Sequence, residues 1–298
     1  MKVLILVLLT AAACGHTTDD GELAPDAGTG DAAIDAPADA PADAPVGCAA
    51  IIGGQPDGDP INAATGAIVA RSSGQPWRVG CTGTLISPTT VLTAAHCLSP
   101  QIVGNRQLGF ALGTNLTQVS NTQVHVEAQR IVHPMFFPQN LGQGLSNDTY
   151  DVALLILATP FSGVTPAKVA RAQDATLIAQ GTTVRIVGYG VTTNQGHDLG
   201  TKRSATTVLG TVQPAEMIVG APGMPQKCNG DSGGPTFLDV VQQCVATPRI
   251  IGLTSRAADV AANCTQPGID TRVSYHLAWL GSVTQFGCDS GPNTTPCP

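Results

Sequence analysis

The apolar positions of this chain fall in short runs broken by Gly, Pro, Asn and Thr, not in long periodic stretches. The clearest are Ala67-Ile68-Val69-Ala70, Gly83-Thr84-Leu85-Ile86, Val91-Leu92-Thr93, residues 152–157, Val184-Arg185-Ile186-Val187 and Arg249-Ile250-Ile251-Gly252-Leu253. Runs this short, set between turn-forming residues, predict β-strands packed as a barrel or a sandwich. Only residues 273–286 read as a helix, with Leu277, Leu280 and Val283 near a common face. The expected domain is all-β and ends in one helix.

The amino terminus departs from that pattern. Lys2 precedes an apolar run, residues 3–13, that ends on small residues, as a secretion signal does, and it is too short for a comfortable membrane span. Ala11-Ala12-Ala13-Cys14-Gly15 resembles a bacterial lipobox, in which the cysteine becomes the lipidated first residue of the mature chain. An ordinary signal cut near Ala13 is the other reading. No second apolar stretch approaches the roughly 18 residues of a span, so membrane attachment is expected only through lipid on Cys14.

From Thr17 to Val46 the sequence repeats Ala, Asp, Pro and Gly without aromatic residues, a composition that cannot bury enough apolar area to offset chain entropy. Residues 15–50 are therefore read as a disordered spacer or a disordered propeptide, residues 51–287 as the folded domain, and residues 288–298 as a tail. The charge follows the same division. Eight acidic residues and no Lys or Arg lie in residues 15–50, whereas residues 51–298 hold thirteen acidic and thirteen basic ones. The folded part is nearly neutral, and its charge gives no argument for nucleic acid. Nine cysteines in an exported chain point to disulfides, and the odd one is explained if Cys14 carries lipid.

Three segments carry candidate chemistry. Acyl transfer to water needs a nucleophile, a base, a group that orients the base, and donors for an oxyanion. In Leu92-Thr93-Ala94-Ala95-His96-Cys97, small residues let the backbone pack tightly before His96, and Cys81 is available to bridge Cys97. A His beside a Cys is otherwise a structural or metal-binding pattern. Tyr150-Asp151 precedes the apolar run 152–157 and puts a carboxylate at the mouth of a buried strand. Alone, such an Asp is usually a turn or cap residue. If buried against an imidazole N–H, it sets the tautomer and stabilises the imidazolium.

The specific segment is Cys228-Asn229-Gly230-Asp231-Ser232-Gly233-Gly234-Pro235. Its glycines permit a tight, exposed turn in which the N–H groups of Gly230 and Ser232 can converge on one spot. Losing one such donor typically costs about 2.7–4 kcal/mol of transition-state stabilisation. The six His show no metal-ligand spacing, so neither a metal site nor a cofactor is expected.

Taken in the order His, Asp, Ser, these segments resemble the chymotrypsin/trypsin family of serine peptidases over roughly residues 51–286. Thr93-Ala94-Ala95-His96-Cys97, Asp151-Val152-Ala153-Leu154-Leu155 and Gly230-Asp231-Ser232-Gly233-Gly234-Pro235 are intact. The resemblance implies two six-stranded antiparallel β-barrels with the active site between them and a C-terminal helix. It implies a monomeric endopeptidase, secreted or held at the cell envelope, that acts on proteins or peptides. Ser232 becomes the nucleophile, His96 the general base and then acid, Asp151 its orienting partner, and the Gly230 and Ser232 amides the oxyanion hole. Cys81 to Cys97 and Cys228 to Cys264 match two disulfides of the family. Cys48, Cys244, Cys288 and Cys297 have no such counterparts, and their three possible pairings stay open.

Ile51-Ile52-Gly53-Gly54 resembles the family's activated amino terminus, whose new α-ammonium inserts beside the acid before the catalytic Ser, here Asp231. A zymogen cut between Ala50 and Ile51 is expected. Ala50 stands where many relatives have Arg or Lys, which points to an activator that accepts small residues, this enzyme itself included. The specificity pocket is expected to have Gln226 at its base, where trypsins have Asp, and Ser255, Ala257 and Gly268 around it. Arg256 replaces a common Trp. Asp270 is either a displaced negative charge in the pocket or a structural carboxylate paired with a cation such as Arg272. Two further readings are a binding module that kept the fold without activity, and a permanently zymogen-like form. A replaced triad residue would mark the binding module, and none is replaced.

Overall fold

In the computed structural model, residues 54–142, 144–242, 245–259 and 264–284 are described. The chain divides into two units, Met1–Pro45 and Val46–Pro298, and every described residue belongs to the second. The signal and lipobox with Cys14, the spacer at 15–50, Ile51, the tail, and Cys48, Cys244, Cys288 and Cys297 lie outside the described residues.

Six strands close the first barrel: β1 (Thr65–Arg71), β2 (Arg78–Ser87), β3 (Thr90–Thr93), β4 (Gln107–Ala111), β5 (Val124–Val132) and β6 (Ala153–Leu157). They pair around the barrel in the order β1-β2-β3-β6-β5-β4 and back to β1, all antiparallel. The second barrel is built from β7 (Thr183–Gly188), β8 (Arg203–Val212), β9 (Glu216–Val219), β10 (Pro235–Gln242), β11 (Val245–Ala257) and β12 (Gly268–Arg272). Its order, β7-β8-β9-β12-β11-β10 and back to β7, repeats the connectivity of the first. Closure leaves neither barrel with a free edge.

The packing explains why the apolar runs do not alternate. In β6, Leu155 and Leu157 join Leu85, Val91, Leu108 and Phe110 in the core of the first barrel. Their neighbour Leu154 faces the other way, into a core shared by both barrels that includes Ile86, Leu92, Val187, Phe237, Ile250 and Leu253. In β11, Ile250 serves this shared core, whereas Ile251 packs inside the second barrel with Ile186, Leu209, Met217 and Val219. Strands covered on both faces read as continuous hydrophobic runs. Each fully buried Leu or Ile contributes about 1.5–3 kcal/mol.

The terminal helix is shorter than the sequence predicts. A 3-10 turn, Val273–His276, leads into an α-helix at Leu277–Val283, and Thr284 is already extended with φ −155°. In the tighter turn residues i and i+3 eclipse, which puts the buried Val273 and His276 on one side. Leu277 and Leu280 then complete the shared core. No helix among the described residues is long and apolar enough to cross a membrane.

Candidate active site

The three chemical segments meet where the barrels face each other. After β3 the chain turns through a 3-10 segment, Ala95–Cys97, that carries His96. Ala94 and Ala95 are buried in the core of the first barrel, so their small side chains let this turn sit against it. The Cys81–Cys97 disulfide ties the turn to β2, and Cys228–Cys264 is also formed.

Asp151 stands just before β6, in a three-residue turn closed by the Val152 N–H on the Tyr150 carbonyl (2.8 Å). Tyr150 holds φ +47°, a conformation that costs on the order of 1–3 kcal/mol in a bulky residue. Its ring is held against His133 at 4.8 Å and His276 at 5.9 Å. Burial, with the neighbouring His133, pushes the His276 imidazole down to about 3, so this packed group is neutral.

The Asp151 carboxylate is wholly buried and accepts three hydrogen bonds. Oδ1 receives the His96 backbone N–H (2.9 Å), and Oδ2 faces His96 Nδ1 (2.8 Å) and receives the Ser255 hydroxyl (2.6 Å). Burial alone raises its pKa, but the charge and hydrogen bonds of His96 with the Ser255 bond leave it below the ordinary value. His96 shows the complementary result: burial lowers its pKa, and Asp151 more than offsets this, leaving it above 6.5.

Ser232 lies on the second barrel's side. Its carbonyl accepts the Thr82 N–H (2.8 Å), and the Thr82 hydroxyl donates to the Gly230 carbonyl (2.9 Å), so β2 of the first barrel grips the loop directly. Gly230 and Gly233 have φ +99° and +75°. A Cβ at Gly233 would fall on the Thr93 hydroxyl and lie 2.6 Å from the Thr82 carbonyl oxygen, so only glycine permits this approach. Ser232, Gly230 and His96 line one cavity of about 360 Å³ with Ile102 and Leu108. Among the described residues, the Ser232 hydroxyl and the N–H groups of Gly230 and Ser232 have no hydrogen-bond partner. They are free to engage a ligand in that cavity.

Asp231 turns inward, accepting the N–H groups of Gly190 (2.7 Å) and Cys228 (2.8 Å). Burial pushes its carboxyl up to about 6 despite those bonds. Among the described residues no Lys or Arg forms an ion pair with it.

A second cavity of about 100 Å³ opens beside Ser232 and is lined by Ser255, Ala257 and Gly268 with Lys227, Arg256, Cys264 and Gln266. Gln226 is not in that lining. Its buried amide donates from Nε2 to the Ala221 carbonyl (2.6 Å), while Oε1 has no hydrogen-bond partner among the described residues. Asp270 lies behind the cavity, and its cation is Lys227, with Nζ 2.7 Å from each carboxylate oxygen, not Arg272. The carboxylate and the ammonium are buried together, 0% and 3% exposed, while Arg272 reaches the Gln213 carbonyl (2.7 Å). Arg256 spans to Glu216 in a bidentate pair (2.7 and 2.9 Å) and also donates to the carbonyls of Gly142 and Gly144.

Sequence reasoning missed Lys227 and Glu216 as partners. The usable signal for each was a lone charge next to a strongly apolar or disulfide-bonded segment, where a buried charge must find a counter-ion. Cys81, His96 and Cys97 lie close enough together to resemble a metal site, but both sulfurs are consumed in the disulfide.

Two closed barrels, a His–Asp pair between them and a serine on a glycine-rich turn define a serine hydrolase of the double-barrel class. Residues 51–280 match the family described as Trypsin. Chymotrypsin-like elastase family member 1 of Bos taurus is 31% identical over 233 residues, covering 71% of this chain and 81% of the bovine protein. Fibrinolytic enzyme, isozyme C, of Lumbricus rubellus is 31% identical over 234 residues, covering 71% and 90%. Chymotrypsin of Phaedon cochleariae is 26% identical over 231 residues, covering 74% and 76%. The chain belongs to the trypsin family and is a serine endopeptidase.

Proposed function

We propose that this endopeptidase hydrolyses protein or peptide substrates through Ser232, His96 and Asp151, with the Gly230 and Ser232 amides as oxyanion donors. The observation that carries the reading is the Asp151 carboxylate: it takes both the Nδ1 and the backbone N–H of His96, while the same His96 shares a cavity wall with Ser232. With Nδ1 held as donor, Nε2 is the lone-pair nitrogen available to Ser232.

The steps follow from that arrangement. Ser232 Oγ attacks the carbonyl carbon as its proton passes to His96 Nε2, and the oxyanion receives the two free N–H groups. The imidazolium, stabilised by Asp151, donates that proton to the leaving amine as the C–N bond breaks, leaving an ester on Ser232. Water then attacks the ester, giving its proton to His96, and collapse releases the acid and restores the Ser232 hydroxyl.

Activation follows from cleavage between Ala50 and Ile51. The burial of Asp231 supports this: among the described residues Lys227 and Arg203 act on it only through space, without an ion pair, and a new α-ammonium at Ile51 would pair with it directly. We further propose export by residues 1–13 and lipid attachment at Cys14, with residues 15–50 as tether, on the composition of those segments. Amino-terminal sequencing and mass of the mature protein test both cleavages.

The catalytic assignment is tested with a fluorophosphonate probe and a peptide substrate. Ser232→Ala is expected to abolish labelling and hydrolysis, and labelling that persists in this variant removes Ser232 from the role.

A further inference from the structure

Lys227 sits at the wall of the cavity beside Ser232 with its side chain 3% exposed, and its ammonium is fully engaged. Nζ lies 2.7 Å from Thr236 Oγ1, 2.7 Å from Asp270 Oδ1 and 2.7 Å from Asp270 Oδ2. A lysine ammonium has three hydrogens and all three are used, so none is left for a carboxylate entering the cavity. Asp270 is covered in turn: the Thr236 hydroxyl donates to its Oδ2 (2.6 Å) in addition to Lys227. It does not reach the cavity surface and offers nothing to an incoming cation. Apart from Lys227 and Arg256, whose guanidinium is held in a bidentate pair by Glu216, the residues that do reach it are small or neutral, among them Ser255, Ala257, Gly268 and Gln266.

We propose that the Lys227–Asp270 ion pair is the specificity-determining floor of this pocket, cancelling the charge at its base so that the enzyme cleaves after small uncharged aliphatic residues and rejects Arg, Lys, Asp and Glu. The inference rests on Ser232 as nucleophile, because the cavity opens beside it. Size points the same way. The cavity holds about 100 Å³, less than an engineered cavity of about 150 Å³ that binds benzene, so short aliphatic side chains suit it better than aromatic rings. The pair also conceals a second preference. An Arg or Lys side chain brings a cation to where the Lys227 ammonium now sits, so removing Lys227 opens Asp270 to it.

The test uses the full chain in its processed form, titrated with a fluorophosphonate so that every rate refers to labelled Ser232, and a peptide series that varies only the residue before the scissile bond. The wild-type enzyme is expected to favour Ala, Val and Leu over Arg, Lys, Asp, Glu and Phe by at least about tenfold in kcat/KM. Lys227→Ala is expected to raise cleavage after Arg or Lys, relative to Ala, by at least about tenfold. Lys227→Ala with Asp270→Asn leaves no buried charge unpaired and is expected to keep the neutral preference, which covers the case in which the single variant does not fold. A wild-type preference for a charged or aromatic residue overturns the proposal. So does a labelled Lys227→Ala enzyme with an unchanged profile, or a double variant that gains cleavage after a charged residue. A wild-type protein that neither labels nor cleaves any peptide instead overturns the assignment of Ser232.

Discussion

The hydroxyl of Ser255 lies 2.6 Å from Oδ2 of Asp151, the same oxygen that faces Nδ1 of His96 at 2.8 Å. Ser255 belongs to β11 of the second barrel, and Asp151 stands just before β6 of the first. The bond therefore fastens the two barrels at the carboxylate and also lines the cavity beside Ser232.

Ser255→Ala is expected to lower stability by about 1.5–3 kcal/mol, since it removes a hydrogen bond to a buried charge. Thermal melting checks the loss. Fluorophosphonate labelling should slow but persist, because His96 still provides two bonds to Asp151.

The raised pKa of His96 fixes the sign of its pH effects. The base must be neutral, so kcat/KM is expected to fall as pH drops through a value above 6.5. The protonated ring stabilises the fold, a contribution fully present below pH 6.5 and lost as pH rises through the folded-state value. In Asp151→Asn burial and the nearby Arg256 charge remain, both of which lower the His96 pKa, so the acid limb should move below 6.5 while turnover falls by about 10⁴. A pH–rate profile of the two proteins decides this, and an unmoved limb would show that Asp151 does not set the His96 pKa.

Asp231 carries the opposite consequence for the uncut chain. With its carboxyl pushed up to about 6 from 3.8, the folded state holds a proton that the unfolded state has lost. Stability is thus expected to fall between about pH 4 and 6, by about 3 kcal/mol in all. On the proposed cleavage at Ala50–Ile51, the new ammonium would keep Asp231 ionised and remove the penalty. Melting temperatures of cut and uncut protein should therefore agree near pH 4 and separate through pH 6, whereas parallel curves would count against pairing with Ile51.

Half of the barrel strands were legible as apolar runs, and the reason the others were not is visible in their burial. In β8 the buried residues are Ala205, Thr207 and Leu209, and in β10 and β12 charged Asp239 and Asp270 interrupt the strand. Burial of Thr and of the paired Asp270, and exposure of Asp239, leave no hydrophobic signature. The repeated connectivity of the two barrels is likewise silent in the sequence, because pairing order depends on closure and not on any one segment.

What the sequence determined by itself was local. Small residues before His96, an acid ahead of a buried strand and the glycines around Asp231-Ser232 each dictate a backbone shape within a few residues. The tertiary structure alone decided which distant charges share a site. Lys227 and Asp270 are 43 positions apart, and so nothing in either neighbourhood names the other. The cation beside Asp270 is therefore Lys227 and not Arg272, because a charge taken out of water is satisfied by whatever partner the fold brings within about 3 Å, wherever it stands in the chain.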